Sequence, residues 1–296
     1  MLRGALHCHT TRSDGEKTPA ELLHSYANYG YDFVAITDHN RYNFRNDAPE
    51  TGLLVIPGVE VDGHIAGNLP VHVLHTVALG RAYEKGVTYE QDDTLPRIEV
   101  KDQYAFIPFV EELQKRRNLT MYCHPQWSST PAREFENIPG NFALEIWNTG
   151  CALENDMDTN AAYWDELLAQ GKRIFGVAVD DCHTAAHDNG GWVVARAEKN
   201  LDAVLDALQA GAFYSSCGPM IEDFYVDRGH VHVTCSPCES ICFVYDRTPS
   251  FQAKGAGIRE AGARLPGGIG YVRAVCKDRD GKRAWTNPIF LRDCVE

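Results

Sequence analysis

From its first residue to about Ser216 the chain alternates short β-like runs with helical stretches, and almost every run carries a histidine or a carboxylate at or near its end. Alternation of this kind specifies parallel strands joined by crossover helices. Leu2 to His7 reads as the first strand. Asp32 to Thr37, Leu53 to Val61, Val71 to Leu79, Leu119 to Cys123, Phe142 to Trp147 and Arg173 to Val179 follow, and Ala212 to Ser215 is the last. Beside them stand His7-Cys8-His9, Asp38-His39, Glu60, His75, His124 and Asp181-Cys182-His183. One strand-end histidine is ordinarily a turn or capping residue. A whole series of them converges on the single mouth where the βα loops of a barrel gather.

The helices have readable ends. Thr18-Pro19-Ala20-Glu21 supplies an N-cap, a Pro at the first helical position and the acidic partner of a capping box, and Gly30 stops that helix. Further helices are expected near Tyr104 to Arg117, near Asn160 to Gln170 before Gly171, and over Asn200 to Ala210 before Gly211. Beyond Gly218 the helical pattern ceases. Met220 to Val226, His230 to Cys235, Ile241 to Asp246 and Tyr271 to Cys276 are short alternating runs separated by turns, including Asp280-Gly281. The expected organisation is an α/β barrel over 1–216 and a small β-rich, sandwich-like domain over 217–296.

The 296 residues are enough for one large domain and an appendage. A hydrophobic fraction of 44% with 23% charged residues suits a soluble enzyme, and no apolar run approaches the roughly 20 residues that span a bilayer. The chain reads directly into a strand with no signal-peptide pattern, so the cytoplasm is the expected location and no membrane partner is expected. A formal charge of −13 argues against a stable nucleic-acid partner. The ten cysteines are scattered, and Cys8, Cys123 and Cys182 adjoin the candidate histidines, so reduced thiols are expected. Cys235-Ser-Pro-Cys238 with Cys242 and Cys276 lacks the second well-spaced pair of a zinc site and reads as buried structural thiols.

In an extended segment residues i and i+2 share a face, so the rings of His7 and His9 can meet one metal ion, with Asp14 close behind in Ser13-Asp14-Gly15. For the fourth run His75 is preferred over His72, because three residues apart they point to opposite faces and His75 shares parity with Val73, Val77 and Leu79. Asp38 and Asp180 read as groups that orient histidines from behind. Cys8 and Cys182, flanking ligands in extended chain, point away and read as packing residues. His24, His64, His187, His230 and His232 are not expected to be ligands, and Trp127 and Asn148 read first as packing residues.

His7-x-His9 with Ser13-Asp14-Gly15, Thr37-Asp38-His39, Gly58-Val59-Glu60, Cys123-His124-Pro125 and Asp181-x-His183, in that order, resembles the PHP superfamily of polymerase and histidinol phosphatase metallohydrolases. Ala284 to Ile289 resembles the terminal strand of a β-sandwich attached to some PHP phosphoesterases. The resemblance implies a distorted seven-stranded β/α barrel with two or three metal ions. One ion would take His7, His9, Glu60 and Asp181. A second would share Glu60 and add His75 and His124, and a third would take Asp14, His39 and His183. Mixed imidazole and carboxylate donors suit Mn, Fe or Zn.

Two ions that share a water lower its pKa and neutralise charge on phosphoryl oxygens, so no protein nucleophile is required. The expected activity is hydrolysis of a phosphomonoester or phosphodiester in a small phosphorylated metabolite or nucleotide, with Glu60, Asp181 and His183 closest to the chemistry. Arg12, Arg41 and Arg45 lie in loops near the mouth and read either as a phosphate clamp or as solvated charge. The same hydroxide would also attack a carbamate, ester or amide carbonyl, an activity known for some PHP proteins with β-tails. A third reading is a non-catalytic metal-binding module.

Overall fold

The computed structural model describes residues 1–67, 71–158, 160–246 and 248–291, and for 248–250 the backbone alone. The strands in chain order are β1 (Leu2–Ala5), β2 (Phe33–Ala35), β3 (Leu54–Ile56), β4 (Gly58–Ile65), β5 (Val73–Gly80), β6 (Ile98–Val100), β7 (Asn118–Tyr122), β8 (Asn141–Asn148), β9 (Phe175–Val179), β10 (Trp192–Ala195) and β11 (Phe213–Ser216). The C-terminal region adds β12 (Ile221–Asp227), β13 (His230–Tyr245), β14 (Thr248–Arg264), β15 (Tyr271–Lys277), β16 (Arg283–Thr286) and β17 (Ile289–Phe290). Helices α1 (Pro19–Asn28), α2 (Gln103–Lys115), α3 (Ala132–Phe135), α4 (Thr149–Asn155), α5 (Asn160–Ala169) and α6 (Leu201–Gln209) connect the strands of the first part.

The helix signals act as the chemistry of capping requires. Thr18 Oγ1 accepts the Glu21 backbone N–H, and the Glu21 carboxylate accepts the Thr18 N–H at 2.8 Å, so two otherwise unpaired donors of α1 are satisfied. Leu22, Leu23 and Tyr26 then form the face of α1 that packs on Ala5, Val34 and Ile36 of the first two strands and the turn beyond them. In α2 the buried residues Phe106, Val110 and Leu113 fall on one stripe, and Asp102 accepts the Ala105 N–H as the N-cap.

The ladders depart from one seven-stranded parallel barrel. They form a six-stranded sheet in the order β6-β4-β5-β7-β8-β9 and an eleven-stranded sheet that includes β3-β2-β1-β10-β11. β1–β2, β2–β3, β7–β8 and β8–β9 are parallel, whereas β4–β5, β5–β7, β1–β10 and β10–β11 are antiparallel. The physical reasons are local. Residues 66–72 are too few for a crossover between β4 and β5, and Pro57, which has no N–H to give a ladder, divides the expected run Leu53 to Val61 into β3 and β4. Between the sheets the chain makes single parallel bridges at Cys8–Cys182 and His39–Glu60. Both bridges lie at candidate ligands, where the backbone leaves the regular ladder to aim side chains inward.

The β-rich tail continues the larger sheet. Tyr214, Ser215 and Ser216 of β11 pair with Thr286, Trp285 and Ala284 of β16. The runs His230 to Cys235 and Ile241 to Asp246 prove to be one long strand, β13, with register shifts between Thr234 and Ser240. Asn287 bonds the Gly176 N–H and the carbonyls of Gly211 and Phe213, and Arg273 forms a two-pronged ion pair with Asp165 of α5. No helix among the described residues is long and apolar enough to cross a membrane.

Candidate metal centre

The turn after β1 sets the centre. His7 and His9 flank Cys8, whose bridge to Cys182 is closed by the Asp181 N–H on the His7 carbonyl and the His9 N–H on the Cys182 carbonyl. Alternation then sends both imidazoles to one side, while Cys8 and Cys182 are buried on the other with Leu22 and Tyr26. His7 Nε2 lies 3.1 Å from His9 Nε2, 3.2 Å from Glu60 Oε2 and 3.3 Å from Asp181 Oδ1. His9 Nε2 lies 3.3 Å from Glu60 Oε2 and 3.1 Å from Asp181 Oδ1. Edges of that length belong to a tetrahedron whose corners stand about 2 Å from its centre, the reach of such ligands to a transition metal.

Glu60 divides its two oxygens. Oε2 faces the His7 and His9 nitrogens, whereas Oε1 meets His75 Nδ1 at 3.0 Å and His124 Nε2 at 3.2 Å. His39 Nδ1 approaches Oε2 at 3.1 Å and Asp62 Oδ1 at 2.7 Å. Nearer the surface, Asp14 stands 3.6 Å from each of His9 Nδ1, His39 Nε2 and His183 Nε2. All nine residues singled out in the sequence therefore meet in one place: His7, His9, Asp14, His39, Glu60, His75, His124, Asp181 and His183. His72 does not join them; it bonds Glu134 at 2.6 Å.

The donor set fits divalent metal. Glu60 Oε2 is fully buried, has no hydrogen-bond donor, and is surrounded by imidazole nitrogens, a costly arrangement unless positive charge lies among them. His7 Nδ1 bonds Glu145 Oε1 at 2.6 Å, which leaves Nε2 as the lone-pair nitrogen facing the cluster. Without metal the protons must supply the charge. Burial alone lowers the pKa of His9, but the adjacent carboxylates of Asp181 and Glu60 together outweigh it and bring it up to about 9. His183 is likewise lowered by burial and raised on balance to about 9, chiefly by Asp14. Glu60 is raised by burial, yet the charges of His7, His39 and His75 hold it well below the usual carboxylate range.

Several residues have roles the sequence did not disclose. Glu145, fully buried in β8, orients His7 with one oxygen and accepts the His124 N–H and the Asn148 amide with the other. Asn148 also donates to Asp181 at 3.0 Å, so it positions a candidate ligand instead of merely packing. The readable signal for Glu145 is a lone charge inside the apolar run Phe142 to Trp147. For Asp62 it is parity, because Asp62 lies two residues after Glu60 on β4 and shares its face. The expectation for Asp38 and Asp180 is corrected. Asp38 binds Thr10, Ser13 and Asn43, and Asp180 binds Tyr26 and the N–H groups of Asn189, Gly190 and Gly191; both carboxylates fasten loops, and neither bonds a histidine ring.

Two cavities open over the cluster. One, of about 330 Å³, is bordered by Trp127, Glu154, Asn155 and His187 as well as candidate ligands. The other, of about 600 Å³, shares Asp14, His39, His75 and Trp127 with it and extends to His64, His72 and Arg97. Arg12, Arg41 and Arg45 border neither. Arg12 donates to Asn43 at 2.6 Å and pairs with Asp47, Arg41 donates to Asp92 at 3.2 Å, and Arg45 is exposed. His230 and His232 lie in the β-rich tail, with the ring of His232 stacked on Tyr225.

Residues 5–214 match the family model of the PHP domain. A stretch of 73 residues is 34% identical to a 5′-3′ exoribonuclease of Haemophilus influenzae, and that match spans 23% of this chain and 26% of the relative. A solved two-domain protein from Bacteroides vulgatus, described as containing a predicted PHP-like metal-dependent phosphoesterase, aligns over 97% of this chain and 95% of its own with a TM-score of 0.50 and 14% identity. A putative metal-dependent phosphoesterase of Bifidobacterium adolescentis aligns over 69% of this chain and 95% of its own, with a TM-score of 0.47 and 15% identity.

Proposed function

The chain belongs to the PHP domain family, and on that ground we propose that it is a metal-dependent phosphoesterase acting on a phosphomonoester or phosphodiester of a small phosphorylated molecule. The observation that carries the proposal is Glu60, whose two oxygens face two different groups of donors, as a carboxylate shared between ions must. We assign His7, His9, Glu60 and Asp181 to one ion, Glu60, His75 and His124 to a second, and Asp14, His39 and His183 to a third, with Mn, Fe or Zn suited to such donors. Bound ions would supply a nucleophilic water at neutral pH and positive charge for the phosphoryl oxygens.

The protein's own part is positioning. Glu145 fixes the tautomer and rotation of His7, Ser128 bonds His124 Nδ1 at 3.0 Å, and the Asp181 carbonyl holds His183 Nδ1 at 2.9 Å, so the candidate ligands are oriented from behind. Asp14, His39 and His183 are the partly exposed members and face incoming substrate, while Trp127 walls the cavity against His75 and His124. Arg12, Arg41 and Arg45 are assigned to the loop around Asp92 and not to a phosphate clamp. The strands beyond Ser216 buttress this unit, and the cytoplasm is its proposed location.

Elemental analysis of protein purified without chelators tests the centre, with at least two transition-metal ions per chain expected. Rates on p-nitrophenyl phosphate and bis-p-nitrophenyl phosphate, set against p-nitrophenyl acetate, test the reaction. Hydrolysis of the acetate alone would transfer the site to carboxyl ester or amide chemistry.

A further inference from the structure

Arg97 is the one lysine or arginine among the described residues that border the two cavities. It stands immediately before β6, and its Nε donates to His64 Nε2 at 2.8 Å, which sets the plane of the guanidinium. Nη1 and Nη2 have no acceptor among the described residues, and the side chain is 68% exposed. Asp62, which lies 3.9 Å from Arg97 Nε, also accepts from His39 and Asn40, and Glu134 binds His72. The outer edge of Arg97 therefore offers two N–H donors over a cavity of about 600 Å³, the geometry with which arginine meets a carboxylate or phosphate.

The two cavities adjoin at Asp14, His39, His75 and Trp127 over the candidate ligands, and their far ends differ in charge. One end has Arg97 with His64 and His72, whereas the other has Glu154 and Asn155 and, among the described residues, no permanent cation. In a chain of net charge −13, an arginine whose two Nη groups have no acceptor among the described residues, at one end of the adjoining cavities, gives the site a direction. Trp127, whose ring lies 5.8 Å from that of His75 and 5.0 Å from that of His124, lines the passage between the ends with a flat apolar surface.

We propose that Arg97, held by His64, forms a second anion subsite, and that the substrate is a phosphate ester carrying a further carboxylate or phosphate separated from the scissile group by a planar or apolar spacer that crosses Trp127. The proposal rests on the phosphoesterase reading for the identity of the first anion. It is tested with Mn-loaded full-length protein by calorimetric binding of three non-hydrolysable probes: phenylphosphonate, 4-carboxyphenylphosphonate and 1,4-phenylenediphosphonate. The parent should bind at least one of the two doubly anionic probes about ten-fold more tightly than phenylphosphonate, as expected for one partly exposed charge-assisted pair. Arg97→Gln should abolish that ratio, and Arg97→Lys should keep much of it, at equal metal content by elemental analysis. Equal affinities in the parent, or a preference that survives Arg97→Gln, would overturn the subsite. Turnover of phenyl phosphate and 4-carboxyphenyl phosphate is measured separately. If the parent hydrolyses neither, the phosphoesterase reading fails, while the phosphonate ratios still report on Arg97.

Discussion

Glu60 is the residue on which the most interactions converge, because a buried carboxylate can share itself between two cations only if each oxygen has its own set of neighbours. Glu60→Gln keeps the shape and removes the charge, so it should lower metal content and reduce turnover by about 100-fold or more; elemental analysis with initial rates would show it, and a variant within a few-fold of the parent would make Glu60 structural. The same residues predict how the metal-free chain responds to pH. His9 and His183 have folded-state values of about 9, above the ordinary value of about 6.5 for an unfolded histidine, so their contribution to stability is complete below about pH 6.5 and is lost as pH rises through 9. Glu60 and Asp181 are shifted downward, so theirs is present above about pH 4 and lost on acidification. Chelator-treated protein should therefore melt at its highest temperature near pH 5 to 6.5 and at a lower one at pH 9. Metal-loaded protein should not show that alkaline loss, since the ions replace the protons; a metal-free melting temperature that rises from pH 6 to 9 would contradict the charge arrangement.

At the scale of elements, the loop Thr10 to Gly15 shows why the motif Ser13-Asp14-Gly15 ends in glycine. The Gly15 N–H bonds the Thr10 carbonyl, and a Cβ at Gly15 would lie 2.5 Å from the His9 carbonyl carbon and oxygen, backbone that cannot yield without moving a candidate ligand. Gly15→Ala should displace Asp14 from His39 and His183 and lower metal occupancy and rate while the melting profile stays cooperative; full occupancy with unchanged kinetics would show that the loop adapts. The capping box of α1, the glycine stops and most strand positions of the first part were legible because each depends on neighbours in sequence, whereas β6, β10 and the long β14 were not expected. The candidate ligands were legible because strands give their side chains a period of two. Strand direction was legible only in part: the short 66–72 connection makes β4 and β5 antiparallel, but β7 follows β5 after a long connection, and its antiparallel pairing with β5 is a choice of partner that no local pattern records. Glu145 was missed because its importance comes from His7, distant in sequence.

At the scale of the whole molecule, the question is whether the β-rich tail serves the centre or the scaffold, and the pairing favours the scaffold. β16 covers the edge of β11, and Asn287 alone satisfies the Gly176 N–H and the Phe213 carbonyl from the tail side, both belonging to strands of the first part. Simple truncation at Ser216 would bare that edge and invite aggregation, so a point change separates the alternatives better. Asn287→Ala leaves buried backbone groups without partners and should cost about 1–3 kcal/mol, seen as a fall in melting temperature, with metal content per folded chain kept. His230→Gln combined with His232→Gln removes the two tail histidines at the Tyr225 face and should leave metal content, activity and melting temperature alike close to the parent. Lost metal in the folded histidine double variant would place the tail within the centre. An unchanged melting temperature in Asn287→Ala would mean that β11 and β9 stand without the latch, and the tail's role in holding the scaffold would then rest on the β11–β16 ladder and the Arg273–Asp165 pair.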